Sequence, residues 1–193
     1  MGRTLGVSET LALAEKHGLA VARIFSADTA EFPVFVKPDI SGHKSDRGLV
    51  FLANDKGELA EAVGKISPDS NPIIQERLSG TELILGAKKD PVFGTVALAG
   101  IGGTLAEAYS DAAVGVTPLS EEDALRMIDS LKGQKILSGF RGKPAVDRAA
   151  LARAIVLVGK MADAEGLAEL DLNPVIADGE RIVAVDGRAV VCD

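Results

Sequence analysis

Glycine aside, no apolar run in this chain exceeds five residues, as in Ala154-Ile155-Val156-Leu157-Val158, and 21 glycines and 8 prolines punctuate the 193 residues. Such a pattern confines the fold to short strands and helices of a few turns packed in layers. A membrane-spanning helix needs about 20 consecutive apolar residues, so none is expected. The start, Met1-Gly2-Arg3-Thr4-Leu5-Gly6, lacks the long apolar core of a secretion signal. Cys192 is the single cysteine, so no internal disulfide framework exists, and both features point to a reducing cytoplasm. A formal charge of −7 disfavours a general nucleic-acid binder. Zero Trp and one Tyr remove the stacking platform that single-strand binders use. An acidic balance still leaves room for a local basic pocket around a small phosphate ligand.

Along the chain, Ser8 is positioned to cap a helix striped by Leu11, Leu13 and Ala14, with Gly18 as its stop. Strands are expected at 19–25, 32–36 and 48–53, the last two separated by the polar loop 38–48. Leu59, Ala62, Val63 and Ile66 recur with a period near 3.6 and predict a helix over 55–66. Short strands follow at 72–76, 82–86 and 95–98, the last running into Gly100-Ile101-Gly102-Gly103-Thr104. Ser120 caps a helix to about Leu131, and Asp147 starts a longer one that Gly166 closes. A terminal hairpin, 167–177 and 181–191, turns through Asp178-Gly179. Strands mixed irregularly with helices indicate an α+β chain rather than strict β-α alternation.

That hairpin carries the first chemical signal. Side chains alternate along a strand, so Glu169, Asp171 and Asn173 share one face while Ala168, Leu170 and Leu172 share the other. A turn centred on Asp178-Gly179 pairs Ala177 with Glu180, and counting outward sets Asp171 opposite Asp186. Directly paired carboxylates repel unless a cation lies between them. Two carboxylates and an amide oxygen form an all-oxygen set suited to Mg²⁺ held jointly with phosphates. A solvated acidic face is the alternative. The strand-breaking pair Asn173-Pro174, and Asp186 emerging from the apolar run 182–185, tip the balance toward metal binding.

Phosphate-binding candidates lie upstream. Lys37 closes an apolar strand and projects from a fixed platform toward the loop holding Lys44 and Arg47, where Gly42 and Gly48 permit close backbone approach. An exposed turn is the competing explanation for those loop charges. His43 offers a neutral imidazole nitrogen near pH 7, a potential nucleophile toward phosphorus, although a lone loop histidine is more often a bystander. His17 is accounted for by its place at a helix C-terminus. The glycine run at 100–103 is most simply a tight turn, and the chain contains no Gly-Lys-Ser/Thr phosphate box.

Taken together, Phe32-Pro33-Val34-Phe35-Val36-Lys37-Pro38-Asp39-Ile40 and His43-Lys44-Ser45-Asp46 resemble the nucleotide-binding signature of NDP-forming acyl-CoA synthetase β-subunits. Gln75, the segments 80–86, 90–94, 100–103 and 139–142, and Glu169-Leu170-Asp171-Leu172-Asn173-Pro174 extend the likeness in order through nearly the whole chain. Succinyl-CoA synthetase β-chains are similar more distantly, through Asn173-Pro174 and Val185-Asp186-Gly187. The resemblance implies an ATP-grasp fold over 1–193, two α+β lobes (about 1–75 and 76–193) clasping ATP or ADP with Mg²⁺. It places Lys37 and Lys44 at the phosphates, backbone groups of Gln75, Glu76, Arg77 and Leu78 at adenine, Glu82 toward the ribose, and Asp171, Asn173 and Asp186 at the metal. His43 matches a histidine that relays phosphate. The implied reaction converts acyl-CoA, ADP and phosphate to free acid, CoA and ATP through phosphohistidine. It needs an α-type CoA-binding subunit or fused domain, hence a hetero-oligomer.

The chain departs from that family at three places. It runs almost directly from Phe25 to Phe32, it carries Arg47-Gly48-Leu49 where consecutive glycines are usual, and it has Gly115 at an arginine-like position. A non-catalytic nucleotide-binding or regulatory domain and a stand-alone ATP-dependent carboxylate ligase are the alternative functions.

Overall fold

The computed structural model describes residues 2–40, 49–66, 70–103, 111–139 and 142–192. Two sheets organise them, each with its own apolar core. The smaller, four-stranded sheet has the order β3 (Ile24–Phe25), β6 (Pro72–Glu76), β4 (Val34–Pro38), β5 (Phe51–Ala53), all neighbours antiparallel. Alternation along β4 and β6 turns Val34, Val36 and Ile74 to one side, where they bury against Leu59 and Ala62 of α2 (Lys56–Lys65). Asp55 starts α2 by accepting from the Glu58 backbone N–H at 2.9 Å, a cap worth about 1 kcal/mol.

The eight-stranded sheet is built mainly from long antiparallel strands: β7 (Thr81–Asp90), β8 (Gly94–Ile101), β9 (Ala112–Val116) and β10 (Leu167–Asp178). β1 (Thr4–Leu5), β2 (Ala20–Val21), β11 (Arg181–Ala184) and β12 (Arg188–Val191) complete it. Two helices cover one face. In α3 (Glu121–Ser130) Ser120 and Asp123 cap each other reciprocally, side chain to backbone N–H, at 3.1 and 2.9 Å. α4 (Arg148–Ala164) starts at Asp147, which accepts from Ala150 N–H at 2.8 Å, and ends before Gly166 at φ +60°. Leu151, Ile155 and Met161 of α4 bury against Leu83, Leu85, Leu170 and Leu172 of the sheet. Removing the side chain of fully buried Ile155 or Leu172 would cost about 2–5 kcal/mol.

Several sequence expectations need correction. α1 spans Val7–Lys16 and is entered from Gly6; Ser8 lies inside it, its backbone N–H donating to Asp39 Oδ1 at 3.1 Å. The single strand expected at 19–25 is two strands in different sheets. Ala22 N–H donates to Ala184 O (2.9 Å) in the larger sheet, whereas Arg23 O accepts from Glu76 N–H (3.0 Å) in the smaller. Consequently β1, α1 and β2 belong with the larger sheet, and the expected lobe division at residue 75 does not follow the pairing. The smaller sheet draws instead on residues between Ile24 and Glu76.

The hairpin register also differs. Asp178 pairs with Arg181, so Gly179-Glu180 form the loop and every pairing moves two residues from the expected one. A shift of two preserves the faces, since strand side chains repeat with that period. It also sets Asp178 opposite Arg181 and Asp171 opposite Arg188, in place of two opposed aspartates.

Candidate functional site

Lys37 sits near the end of β4 on the side away from the smaller core, and its residue is only 3% exposed. Its Nζ donates to Val185 O at 2.8 Å and meets Asp186 Oδ2 at 3.2 Å, both in the segment joining β11 to β12. A buried ammonium is costly without such oxygens. The contact therefore ties the face of the smaller sheet to the larger one. Asp186 is oriented further by Gly187 N–H, which donates to Oδ1 at 2.8 Å. A side chain at Gly187 would come within 2.8 Å of Leu172 and Thr10, so glycine lets the chain turn there.

Asn173, not Asp171, lies opposite Asp186, with Asn173 N–H donating to Asp186 O at 3.2 Å. The expected direct opposition of Asp171 and Asp186 is thus incorrect, for the register reason above. Asp171 is two residues upstream of Asn173, opposite Arg188, and Arg188 donates to Glu169 at 3.0 Å. Leu170 and Leu172 are buried while Asp171 and Asn173 are exposed, so both polar side chains leave the core face. The set Asp171, Asn173 and Asp186 still offers only oxygen donors on one surface, and those donors fit a hard cation such as Mg²⁺. Among the described residues no group of three or more His, Cys, Asp or Glu is gathered to hold a metal. A cation here would complete its shell with phosphate oxygens and water.

Glu82 lies on the same outer surface of the larger sheet, on β7 and paired with Ile176 of β10. Glu76 is engaged: its carboxylate accepts from Arg23 N–H (2.9 Å) and Arg23 Nε (3.3 Å). That Glu76 hydrogen bond, followed by the charges of Glu31 and Glu76, raises the Arg23 guanidinium above its ordinary range. Arg77 and Leu78 follow β6 and line a cavity of about 230 Å³, with Ile176, Arg181 and Val183 of the hairpin on its far side. Gln75 is 1% exposed. His43 and Lys44 lie outside the described residues.

Gly115 packs tightly against neighbouring side chains. A Cβ there would approach Leu119 Cδ2 and Met127 Sδ, each at 2.8 Å, on the side of β9 facing α3. Packing explains the glycine, and its neighbours Val114 and Val116 take the exposed face. A cavity of about 440 Å³ between β9 and α3 includes Gly115. Sequence reasoning missed the Val185 carbonyl, which Lys37 reaches only across the two sheets, and Arg188, whose place opposite Asp171 depends on the two-residue register shift. Charge alternation between Asp171 and Arg188 is the signal that would have found the latter.

Comparison with known proteins agrees with this architecture. The family model for the ATP-grasp domain matches residues 4–191. The β subunit of ADP-forming acetate–CoA ligase I from Pyrococcus furiosus is 37% identical over 177 residues, covering 83% of this chain and 75% of that subunit. Trans-feruloyl-CoA synthase FCS1, from an unknown prokaryotic organism, is 37% identical over 189 residues, 89% of this chain but 27% of that protein. The chain therefore spans about a quarter of that longer relative. Among solved structures, the dinucleotide-forming acetyl-coenzyme A synthetase 1 of Ca. Korarchaeum cryptofilum, in complex with coenzyme A and Mg-AMPPCP, superposes with a TM-score of 0.86. Identity there is 34%, covering 98% of this chain and 93% of that one. With its paired sheets, its bridging lysine and these matches, the chain belongs to the ATP-grasp domain family and is related to the β subunits of ADP-forming acetate–CoA ligases.

Proposed function

We propose that this chain binds ATP or ADP with Mg²⁺ and is the nucleotide-handling component of an ADP-forming acyl-CoA ligase. In that role it transfers phosphate between nucleotide and phosphohistidine, while an α-type CoA-binding subunit or fused domain carries the acyl chemistry. The observation that carries the reading is the Lys37–Asp186 contact across the two sheets, with Asn173 opposite Asp186. A buried ammonium beside an all-oxygen cation set is what a magnesium polyphosphate requires. With nucleotide bound, Lys37 would offer its ammonium to phosphate oxygens, and Asp186, Asn173 and Asp171 would supply the oxygen ligands for Mg²⁺. The metal, once bound, neutralises charge on the phosphate oxygens. Glu82 serves the ribose side, and the segment 75–78 serves the base. Lys44 adds charge at the phosphates, and His43 relays phosphate. The lone cysteine and the absence, among the described residues, of a helix able to cross a membrane support a cytoplasmic location.

Incubating the protein with its CoA-binding partner, Mg²⁺ and ATP labelled at the γ-phosphate tests this directly. Acid-labile, base-stable label on histidine is expected, lost in Lys37→Met. Nucleotide binding without any label beside a competent partner would overturn the catalytic reading and leave a regulatory one.

A further inference from the structure

The strands that end a sheet are short with one exception. β1, β2 and β3 have two residues each and β5 has three, whereas β9 runs the five residues Ala112–Val116 along one edge of the larger sheet. An edge strand presents unpaired N–H and C=O groups, and proteins blunt such edges with charge, proline, a bulge or shortness. β9 uses none of these. It reads Ala-Ala-Val-Gly-Val and keeps an unbroken register with β8.

The direction of its peptide groups follows from its two ends. Thr117 N–H donates to Thr95 O at 2.9 Å, and Asp111 O accepts from Ile101 N–H at 3.2 Å. In an antiparallel pair, alternate residues bond the same neighbour, so Ala113 and Gly115 turn their peptide groups to β8. Those of Ala112, Val114 and Val116 face outward, and no described residue is hydrogen-bonded to them. The same three residues hold their side chains out on the sheet face away from α3, with Val114 64% and Val116 48% exposed. On the α3 side β9 carries only Ala113 and Gly115, beside the open groove lined by Asp123, Arg126, Met127 and Ser130.

We propose that β9 pairs with β9 of a second copy of this chain, antiparallel about a two-fold axis at Val114, joining the two larger sheets into one. That axis sets Val114 opposite Val114 and Ala112 opposite Val116, so all three outward-facing residues of each strand find hydrogen-bonding partners. Val114 and Val116 then form cross-strand apolar pairs on the exposed face. On the other face Ala113 meets Gly115, and these small residues admit the second strand beside the groove.

Charge complementarity favours a second copy as the occupant. Lys132 and Gly133 N–H groups donate to the Asp111 carboxylate at 2.8 and 2.6 Å, so the C-terminal end of α3 lies beside the start of β9. Its first turn, with Glu121, Glu122 and Asp123, follows the end of β9. The two-fold axis therefore runs the two α3 helices antiparallel, with the acidic first turn of one toward exposed Lys132 of the other, and opposes their dipoles. Arg126 in the groove is neutralised within its own helix by Glu122 and Asp123. Asp129, near the C-terminal end, is engaged by Arg148.

Sedimentation equilibrium of the chain at tens of micromolar tests this, because a residue on the axis meets itself. The wild type should sediment as a dimer. Val114→Lys and Val114→Glu substitute an exposed side chain and set like charges face to face, so each should weaken dimerisation at least about tenfold. Mixing the two variants in equal amounts places lysine opposite glutamate and should restore dimers. A monomeric wild type would overturn the proposal whether or not the variants fold. A dimer indifferent to both substitutions, or one lost in each and not restored by mixing, would overturn it as well. A wild type that is monomeric alone, yet joins a CoA-binding partner through a contact that Val114→Lys weakens, would assign this edge to that partner instead.

Discussion

Asp186→Asn separates the two roles given to that carboxylate, one in holding the resting protein together and one in holding a cation. In the resting structure Asp186 Oδ2 lies 3.2 Å from Lys37 Nζ, with side-chain exposures of 22% and 4%. At an effective dielectric of about 20 the charge pair is worth at most about 5 kcal/mol. Asparagine keeps an oxygen for the Gly187 N–H, and Lys37 keeps Val185 O at 2.8 Å. The partial exposure of Asp186 and these retained bonds reduce the expected loss to about 1–3 kcal/mol. With no tryptophan in the chain, urea unfolding followed by far-UV circular dichroism is the suitable assay. Lys37→Met and the double variant complete a cycle, with a coupling of about 1–2 kcal/mol expected. A loss under about 0.5 kcal/mol in Asp186→Asn, or strict additivity in the cycle, would refute the ion-pair reasoning.

Further expectations concern other parts of the fold. Hydrogen bonds from Ser120, side chain and backbone, together with Arg126, hold the Asp123 carboxyl at about 2, below its ordinary 3.8. Because the folded value is depressed, its contribution is fully present above about pH 4 and disappears as pH falls toward 2. Melting temperatures measured across that window should fall less steeply in Asp123→Asn than in the wild type; equal slopes would contradict the assignment. Gly80→Ala should destabilise by about 2–3 kcal/mol, since its Cβ would meet backbone Ala177 O at 2.4 Å. A chemical-denaturation midpoint at the wild-type value would show that the strand yields. Asp171→Asn should weaken Mg-ADP binding by about tenfold with little change in melting temperature, a loss corresponding to one charge at the cation. Calorimetry showing unchanged affinity would remove Asp171 from the set.

Much of this organisation was legible before any coordinates. The Ser120 and Asp147 caps, the 3.6-residue period over 55–66 and the strand at 72–76 all express local physics, and each element formed where that physics put it. What failed depended on tertiary partners. Nothing in Leu19 to Phe25 announces that Ala22 and Arg23 bond to different sheets. β9 was missed because Val114 and Val116 are exposed around the glycine at 115, which inverts the usual inward apolar alternation. The hairpin faces were read correctly, yet the register was off by two because Gly179-Glu180 rather than Asp178-Gly179 form the loop. Lys37, Asn173 and Asp186 were singled out by strand position and donor chemistry, and again by family likeness. Their meeting across two sheets became visible only with the sheets assembled.

Titration calorimetry of ADP, in Mg²⁺ and in excess EDTA, on the wild type, Asn173→Ala and Asp186→Asn, probes the proposed cation-bridged phosphate site most directly. The wild type should bind at least about tenfold more tightly with Mg²⁺, and both variants should bind with nearly the same weak affinity in either buffer. Variants that retain the full magnesium effect would place the cation elsewhere and contradict the account.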